Sequence, residues 1–264
     1  MRLAWIADPH LDHAEPAALR ALLVAVRGAR ADAIAISGDI GQAGSVCLWL
    51  ERLQAALGMP VYFVLGNHDY YGGSIAKVRG RVMDLCVRVE GLHWLPVAPP
   101  VPLGAGTVLV GHDGWADGRA GDFAHSEIEL NDYRCIEELI FEDREALHAA
   151  LLARGDEVAA WARRVLPPLL AEGKDILLLT HAPPFSDACW HEGALSNDDG
   201  APHFTDVALG EALFPLLRAH PDRQLTVLCG HTHSAGFLQA GPNLRVITAP
   251  AIYGRPGLAG VIEV

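Results

Sequence analysis

Six apolar runs punctuate the chain: LAWIA from Leu3, AIAIS from Ala33, VYFVL from Val61, TVLVG from Thr107, ILLLT from Ile176 and LTVLC from Leu225. All are too short for a helix and lack polar alternation, the pattern of strands buried on both faces. Between the first two, Leu19, Leu22, Leu23 and Val26 repeat at i, i+3, i+4 and i+7, which predicts one face of a helix. Between the second and third, Val46, Trp49, Leu50, Leu53 and Leu57 do the same, with Ser45 placed to cap that helix and Gly58 to stop it before Pro60. A βαβαβ opening of this kind predicts an α/β fold.

The rhythm changes between Glu127 and Glu172. That segment is acid-rich and helical in pattern, with Val158, Trp161, Ala162 and Val165 on one stripe. It predicts two or three helices inserted between strands, residues 127–172. Their acidic face is either a solvated surface over an ordinary helical layer, or a lid or partner surface. No internal repeat divides the chain, so residues 1–264 are expected to form a single domain.

Composition narrows the function. A chain of 264 residues with 51% hydrophobic content can bury a large core. Its 20 Lys and Arg against 32 Asp and Glu give a formal charge of -12, a field that repels a polyanionic backbone, so nonspecific nucleic-acid binding is not expected. No apolar stretch approaches the roughly 20 residues that span a bilayer, and the first run is followed at once by charge, unlike a secretory leader. A cytoplasmic protein without membrane contact is the expectation. Five cysteines at wide spacings, without a C-x-x-C pair, suit reduced thiols rather than a disulfide framework or a zinc ribbon.

The polar residues just after the apolar runs carry the chemistry. LAWIA leads to Asp8-Pro9-His10, AIAIS to Gly38-Asp39, VYFVL to Gly66-Asn67-His68-Asp69, ILLLT to His181, and LTVLC to Gly230-His231-Thr232-His233. Ligand sites of α/β sheets lie outside the carboxyl ends of the strands, so these five loops are expected to converge. A single strand-end histidine such as His181 is an ordinary polar residue. Five such fragments, in order, are not a chance pattern. Oxygen and imidazole donors without thiolate suit Mn, Fe, Zn, Co or Ni. Seven side chains exceed the needs of one tetrahedral ion, and a carboxylate bridging two ions would use them.

The series D-x-H, G-D, G-N-H-D, a lone His and G-H-x-H resembles that of the calcineurin-like metallophosphoesterases, over residues 8 to 233. The resemblance implies two facing mixed β-sheets flanked by helices, a four-layer αββα sandwich, with a binuclear centre at the sheet edge. It implies that Asp8, His10 and His233 hold one metal, that Asn67, His181 and His231 hold the other, and that Asp39 bridges them. A hydroxide activated by both metals would then attack phosphorus in line. His68 would protonate the leaving alkoxide or hydrogen-bond the phosphate.

Two departures bear on the substrate. Serine/threonine phosphatases of this superfamily carry Asp-Arg-Gly where this chain has Gln42-Ala43-Gly44, and Glu where it has Asp69. The carboxylate that orients the acid histidine and an arginine that clamps phosphate are both missing there. A phosphodiesterase acting on a small phosphate ester is therefore expected. The alternatives are a phosphomonoesterase, on small molecules or proteins, and an inactive scaffold of the same fold. His112, Trp115 and Arg119, in the glycine-rich loop Gly111 to Gly121, are candidate substrate contacts. So are Trp190, His191 and His203, between two ligand-bearing loops.

Overall fold

The computed structural model describes residues 1–104 and 106–264. In chain order its elements are β1 (Arg2–Ile6), α1 (Pro16–Gly28), β2 (Ala33–Ser37), α2 (Val46–Leu57), β3 (Val61–Val64), α3 (Ile75–Arg88), β4 (Leu92–Trp94), β5 (Val101–Pro102) and β6 (Thr107–Gly111). The chain continues through α4 (Asp132–Cys135), α5 (Arg144–Ala171), β7 (Asp175–Leu179), β8 (Trp190–His191), β9 (Ala194–Leu195), α6 (Ala201–Phe204), α7 (Val207–Ala219), β10 (Leu225–Cys229), β11 (Gly236–Gly241), β12 (Leu244–Thr248) and β13 (Gly260–Glu263). One sheet runs β13-β1-β2-β3-β4 and another β11-β12-β10-β7-β6-β5, with a separate β8-β9 hairpin. Within each large sheet the inner strands are parallel and antiparallel strands close the edges, β13 on the first sheet and β11 and β5 on the second.

Side-chain alternation along each strand builds four layers. Leu3, Trp5, Ala33, Ala35, Leu177, Leu179 and Leu228 point between the sheets. Ala4, Ile6, Ile34 and Ile36 point out under the helices of the first sheet. Ile176, Leu178, Leu225 and Val227 point out under α5 and α7. Full burial of an Ile or Leu is worth about 1.5–3 kcal/mol. A one-residue slip of β2 would move two isoleucines into the intersheet layer and two alanines against the helices, which fixes the register. That register aligns Ile6 with Ile36 and Ser37 with Val64, so the loops after β1, β2 and β3 leave at one edge.

Residues 127–172, where the sequence predicts two or three helices, form the four-residue α4, a short turn at Glu137–Leu139 and the 28-residue α5. A Cβ on Gly155, inside α5, would meet the Asp117 side chain at 2.6 Å, so this glycine lets a neighbouring loop pack against a continuous helix. Ser45 does not cap α2 with its hydroxyl; its Oγ donates to Asp12 Oδ2 at 2.5 Å instead. Gly58 does end α2, in the left-handed conformation at φ 65°.

Candidate metal centre

Asp8, Asp39 and Asn67 leave the ends of β1, β2 and β3, while His181, His231 and His233 leave the ends of β7 and β10, so the cluster straddles the two sheets. Its backbone is strained. Of seven non-glycine residues with positive φ among the described residues, five are Asp8, His10, Asp39, His231 and His233. That conformation costs on the order of 1 kcal/mol or more per residue and persists where surrounding contacts impose it, often at functional sites. The loops also approach closely. A Cβ on Gly66 would overlap the Asp39 carboxylate, and one on Gly230 that of Asp8, so the glycines of these two motifs make room for ligands.

The side chains fall into two groups sharing Asp39. In the first, His10 Nε2 and His233 Nε2 lie 3.0 Å apart, and Asp8 Oδ1 is 3.9 Å from His233 Nε2. Donor atoms of Asp8, His10, Asp39 and His233 all fit within 4.8 Å of one another. In the second, His181 Nε2 and His231 Nδ1 are 3.1 Å apart and lie 2.9 and 3.1 Å from Asn67 Oδ1. Asp39 reaches both: its Oδ2 is 3.7 Å from His10 Nε2 and its Oδ1 is 3.5 Å from His181 Nε2.

Protons show what the second group is built for. His181 Nδ1 donates to the Ser37 carbonyl at 2.9 Å, and His231 Nε2 donates to the His203 carbonyl at 3.0 Å. Each outer N–H is therefore spent on backbone, leaving the inner nitrogens as lone pairs. Asn67 turns its amide nitrogen away, donating to Asp132 Oδ1 at 2.8 Å, so its carbonyl oxygen faces inward. Three lone-pair donors thus converge with no hydrogen between them, an arrangement a cation relieves.

Charge tells the same story. Burial pushes the Asp8 carboxyl up to about 8 and Asp39 well above the usual carboxylate range, Asp39 also feeling the charge of Asp8. Burial, and then the neighbouring imidazoles, push His10 down to about 2 and His233 to about 4. Burial holds His181 well below the usual range. The Asp8 Oδ2 atom is buried without a hydrogen-bond partner among the described residues. A buried cluster that resists both its anions and its imidazolium ions is stabilised by metal ions, and its O/N donor set fits them.

Three residues behind the cluster have supporting roles that the sequence does not reveal. Asp69, fully buried, accepts from Ile40 N and Gly41 N on one oxygen and Gly66 N on the other, tying the Gly38-Asp39 loop to the Gly66–Asp69 loop. Asp113 accepts from Leu65 N, Trp94 Nε1 and Tyr70 Oη and pairs with Arg79 at 3.2 Å. Asp132 is one acid among many in an acidic segment, set apart by its contacts with Asn67 and Tyr71.

Over the centre lies an open bowl of about 300 Å³, walled by His68, Tyr71, Leu130, His191, Phe204 and Tyr253, among others. Of the proposed substrate contacts, His191 lines it. The others do not. His203 is buried at 1% exposure and serves from behind, its ring between Ser126 Oγ and Tyr133 Oη while its carbonyl holds His231. Trp115 is buried behind the imidazoles of His181 and His231. Arg119 is consumed by Asp117 and Asp156, at 2.8 and 2.6 Å, locking its loop to α5. Trp190 packs over Gly236. His112 turns to Trp161 and a separate cavity with Arg79, Trp94 and Glu157.

The family model for calcineurin-like phosphoesterase matches residues 1–235. No curated protein sequence matches significantly. Among solved structures, the fold is similar to the phosphopantetheinyl hydrolase of Mycobacterium tuberculosis, with a TM-score of 0.67 at 15% identity over 96% of this chain and 90% of that one. It is also similar to a dimetal phosphatase of Danio rerio, with a TM-score of 0.59 at 16% identity over 96% and 88% of the two chains.

Proposed function

The chain belongs to the calcineurin-like phosphoesterases, metal-dependent hydrolases of phosphoesters, and within that activity we propose that it cleaves phosphodiesters at a two-ion centre. The two donor groups sharing Asp39 support two ions. One observation carries the diester preference: among the described residues, no Lys or Arg lines the bowl, and Glu129 stands on its wall. A phosphomonoester dianion would bring a second negative charge with no side-chain cation to meet it. A diester monoanion brings only the charge that the centre can take.

Asp8, His10, Asp39 and His233 would hold one ion, and Asp39, Asn67, His181 and His231 another, and these would supply charge neutralisation at the phosphoryl oxygens and a more acidic water. The chain's own groups do the rest. Asp39 would offset the repulsion between two cations, and Asn67 would contribute a neutral oxygen that leaves the centre electrophilic. His68 N donates to Asp39 Oδ1 at 2.9 Å, which sets its imidazole at the bowl's edge, with Nε2 4.0 Å from Asp39 Oδ2. Burial and the His231 and His233 rings push His68 down to about 3, so the ring is neutral and carries one N–H. In hydrolysis a water oxygen bonds to phosphorus and the P–O bond to the leaving group breaks, its electron pair staying on the leaving oxygen. That oxygen takes a proton through His68, and the proton lost by the water restores the balance.

The test compares kcat/KM for bis(4-nitrophenyl) phosphate and 4-nitrophenyl phosphate, with Mn²⁺, Fe²⁺, Zn²⁺, Co²⁺ and Ni²⁺ in turn. The diester is expected to lead by about tenfold or more, since unmatched like charge costs several kcal/mol. A lead for the monoester would overturn the diester preference. Failure on both esters with every metal would favour a non-catalytic member of the family.

A further inference from the structure

The loop after β12 returns a residue to the site from beyond the matched segment, which ends at residue 235. Ala251 N donates to the His233 carbonyl at 3.2 Å, and Arg255 N donates to the Ile252 carbonyl at 3.0 Å, closing a turn with Gly254 at φ 76°. Tyr253 sits at the head of that turn. Its ring stacks on His10, with centroids 4.2 Å apart and planes 28° apart, and its hydroxyl lies 3.4 Å from His68 Nε2.

His68 is held on a second side. The Tyr71 ring stacks on it at 4.2 Å and 28°, and Tyr71 Oη donates to Asp132 Oδ1 at 2.5 Å, the oxygen that also orients Asn67. An imidazole at 19% side-chain exposure, without a carboxylate of its own from the Gln42-Ala43-Gly44 segment, therefore has one aromatic face and one phenolic edge to define it. Both tyrosines line the bowl, so the clamp faces the open space over the centre.

We propose that Tyr253 is a positioning residue for His68, its hydroxyl holding the Nε2 edge of the imidazole toward the leaving oxygen against the fixed ring of Tyr71. This rests on the hydrolase function above. The proton that the leaving oxygen gains comes through His68, and Tyr253 neither gains nor loses one. Removing the hydroxyl should therefore harm cleavage in proportion to the leaving group's need for a proton, and only while His68 is present.

The experiment uses metal-loaded protein and a series of aryl methyl phosphates whose leaving phenols run from 4-nitrophenol to 4-methylphenol. Tyr253→Phe keeps the stacking on His10. It is expected to lower kcat for the 4-methylphenyl ester about three- to tenfold, the range of one hydrogen bond. The 4-nitrophenyl ester should change less than about twofold, with KM steady and metal content unaltered. In a His68→Ala background the same substitution should add nothing, as a double-mutant cycle requires of a residue acting through another. Equal losses across the series, a loss that persists without His68, or no loss at all would overturn the proposal. Parent protein inactive on the whole series would instead overturn the hydrolase function, which keeps the two failures distinct.

Discussion

Asp132 Oδ1 accepts a hydrogen bond from Asn67 Nδ2 at 2.8 Å, and that contact decides which end of the amide faces the imidazoles. Without it the Asn67 side chain can rotate its nitrogen inward and remove one lone-pair donor from the group with His181 and His231. Asp132→Ala is predicted to weaken metal binding at that group by about 10–100-fold, the usual loss when a ligand's orienting partner is removed. Calorimetric titration of the metal-stripped protein with Mn²⁺ measures it. Parent-like affinities for both ions would sink the idea.

Asp39 approaches the inward nitrogens of both groups, His10 Nε2 at 3.7 Å and His181 Nε2 at 3.5 Å, whereas Asp8 nears His181 at its outer Nδ1, 3.7 Å away. Asp39→Asn keeps its shape and removes the negative charge that offsets two cations. Parent protein is expected to hold about two ions per chain, and the variant at most about one, with kcat down by about 10³-fold or more. Elemental analysis after gel filtration, alongside turnover of bis(4-nitrophenyl) phosphate, checks both. A variant with two ions and parental kcat would remove Asp39 from the bridging role.

The strand-end fragments were legible because buried parallel strands are continuous apolar runs, and the first polar residue after each run marks its carboxyl end. Asp8, Asp39, Asn67, His181 and His231 all fall there. The same rule misplaced His112, which also comes after a buried strand. There the chain turns its ring onto Trp161 of α5, away from the sheet junction. Strands β11 and β13 escaped notice because they are edge strands, half exposed in alternation and rich in small residues. Tyr253 lies between β12 and β13, in a turn with no local pattern to mark it. Asp132 matters through contacts with Asn67 and Tyr71, 65 and 61 residues away in sequence, which periodicity cannot see.

Asp113 is fully buried and receives three hydrogen bonds as well as the Arg79 guanidinium, which itself reaches Tyr70 and Glu157. Through Leu65 N it also fixes the start of the loop that bears Asn67. Asp113→Ala is predicted to cost about 3–5 kcal/mol, because it leaves a largely buried cation and several donors unmatched. Urea denaturation of metal-loaded protein measures the loss. A change below about 1 kcal/mol would show that the hub relaxes without penalty.

His112 lies away from the centre and gives a pH signature of its own. Its Nδ1 accepts from Gly114 N at 3.2 Å, and burial pushes the ring down to about 4 from its ordinary value near 6.5. The unfolded chain then binds a proton there between about pH 6.5 and 4 that the folded chain refuses, so the stability is present above pH 6.5 and is lost on acidification through that window. Between pH 7.5 and 5 the loss from this residue is about 2 kcal/mol. His112→Asn keeps an acceptor near the Gly114 amide and cannot take up the proton. Metal-free parent and variant, unfolded in urea at a series of pH values, should therefore diverge by that amount between pH 7.5 and 5, with the parent losing more. Parallel curves would show that His112 can be protonated in the folded protein at little cost.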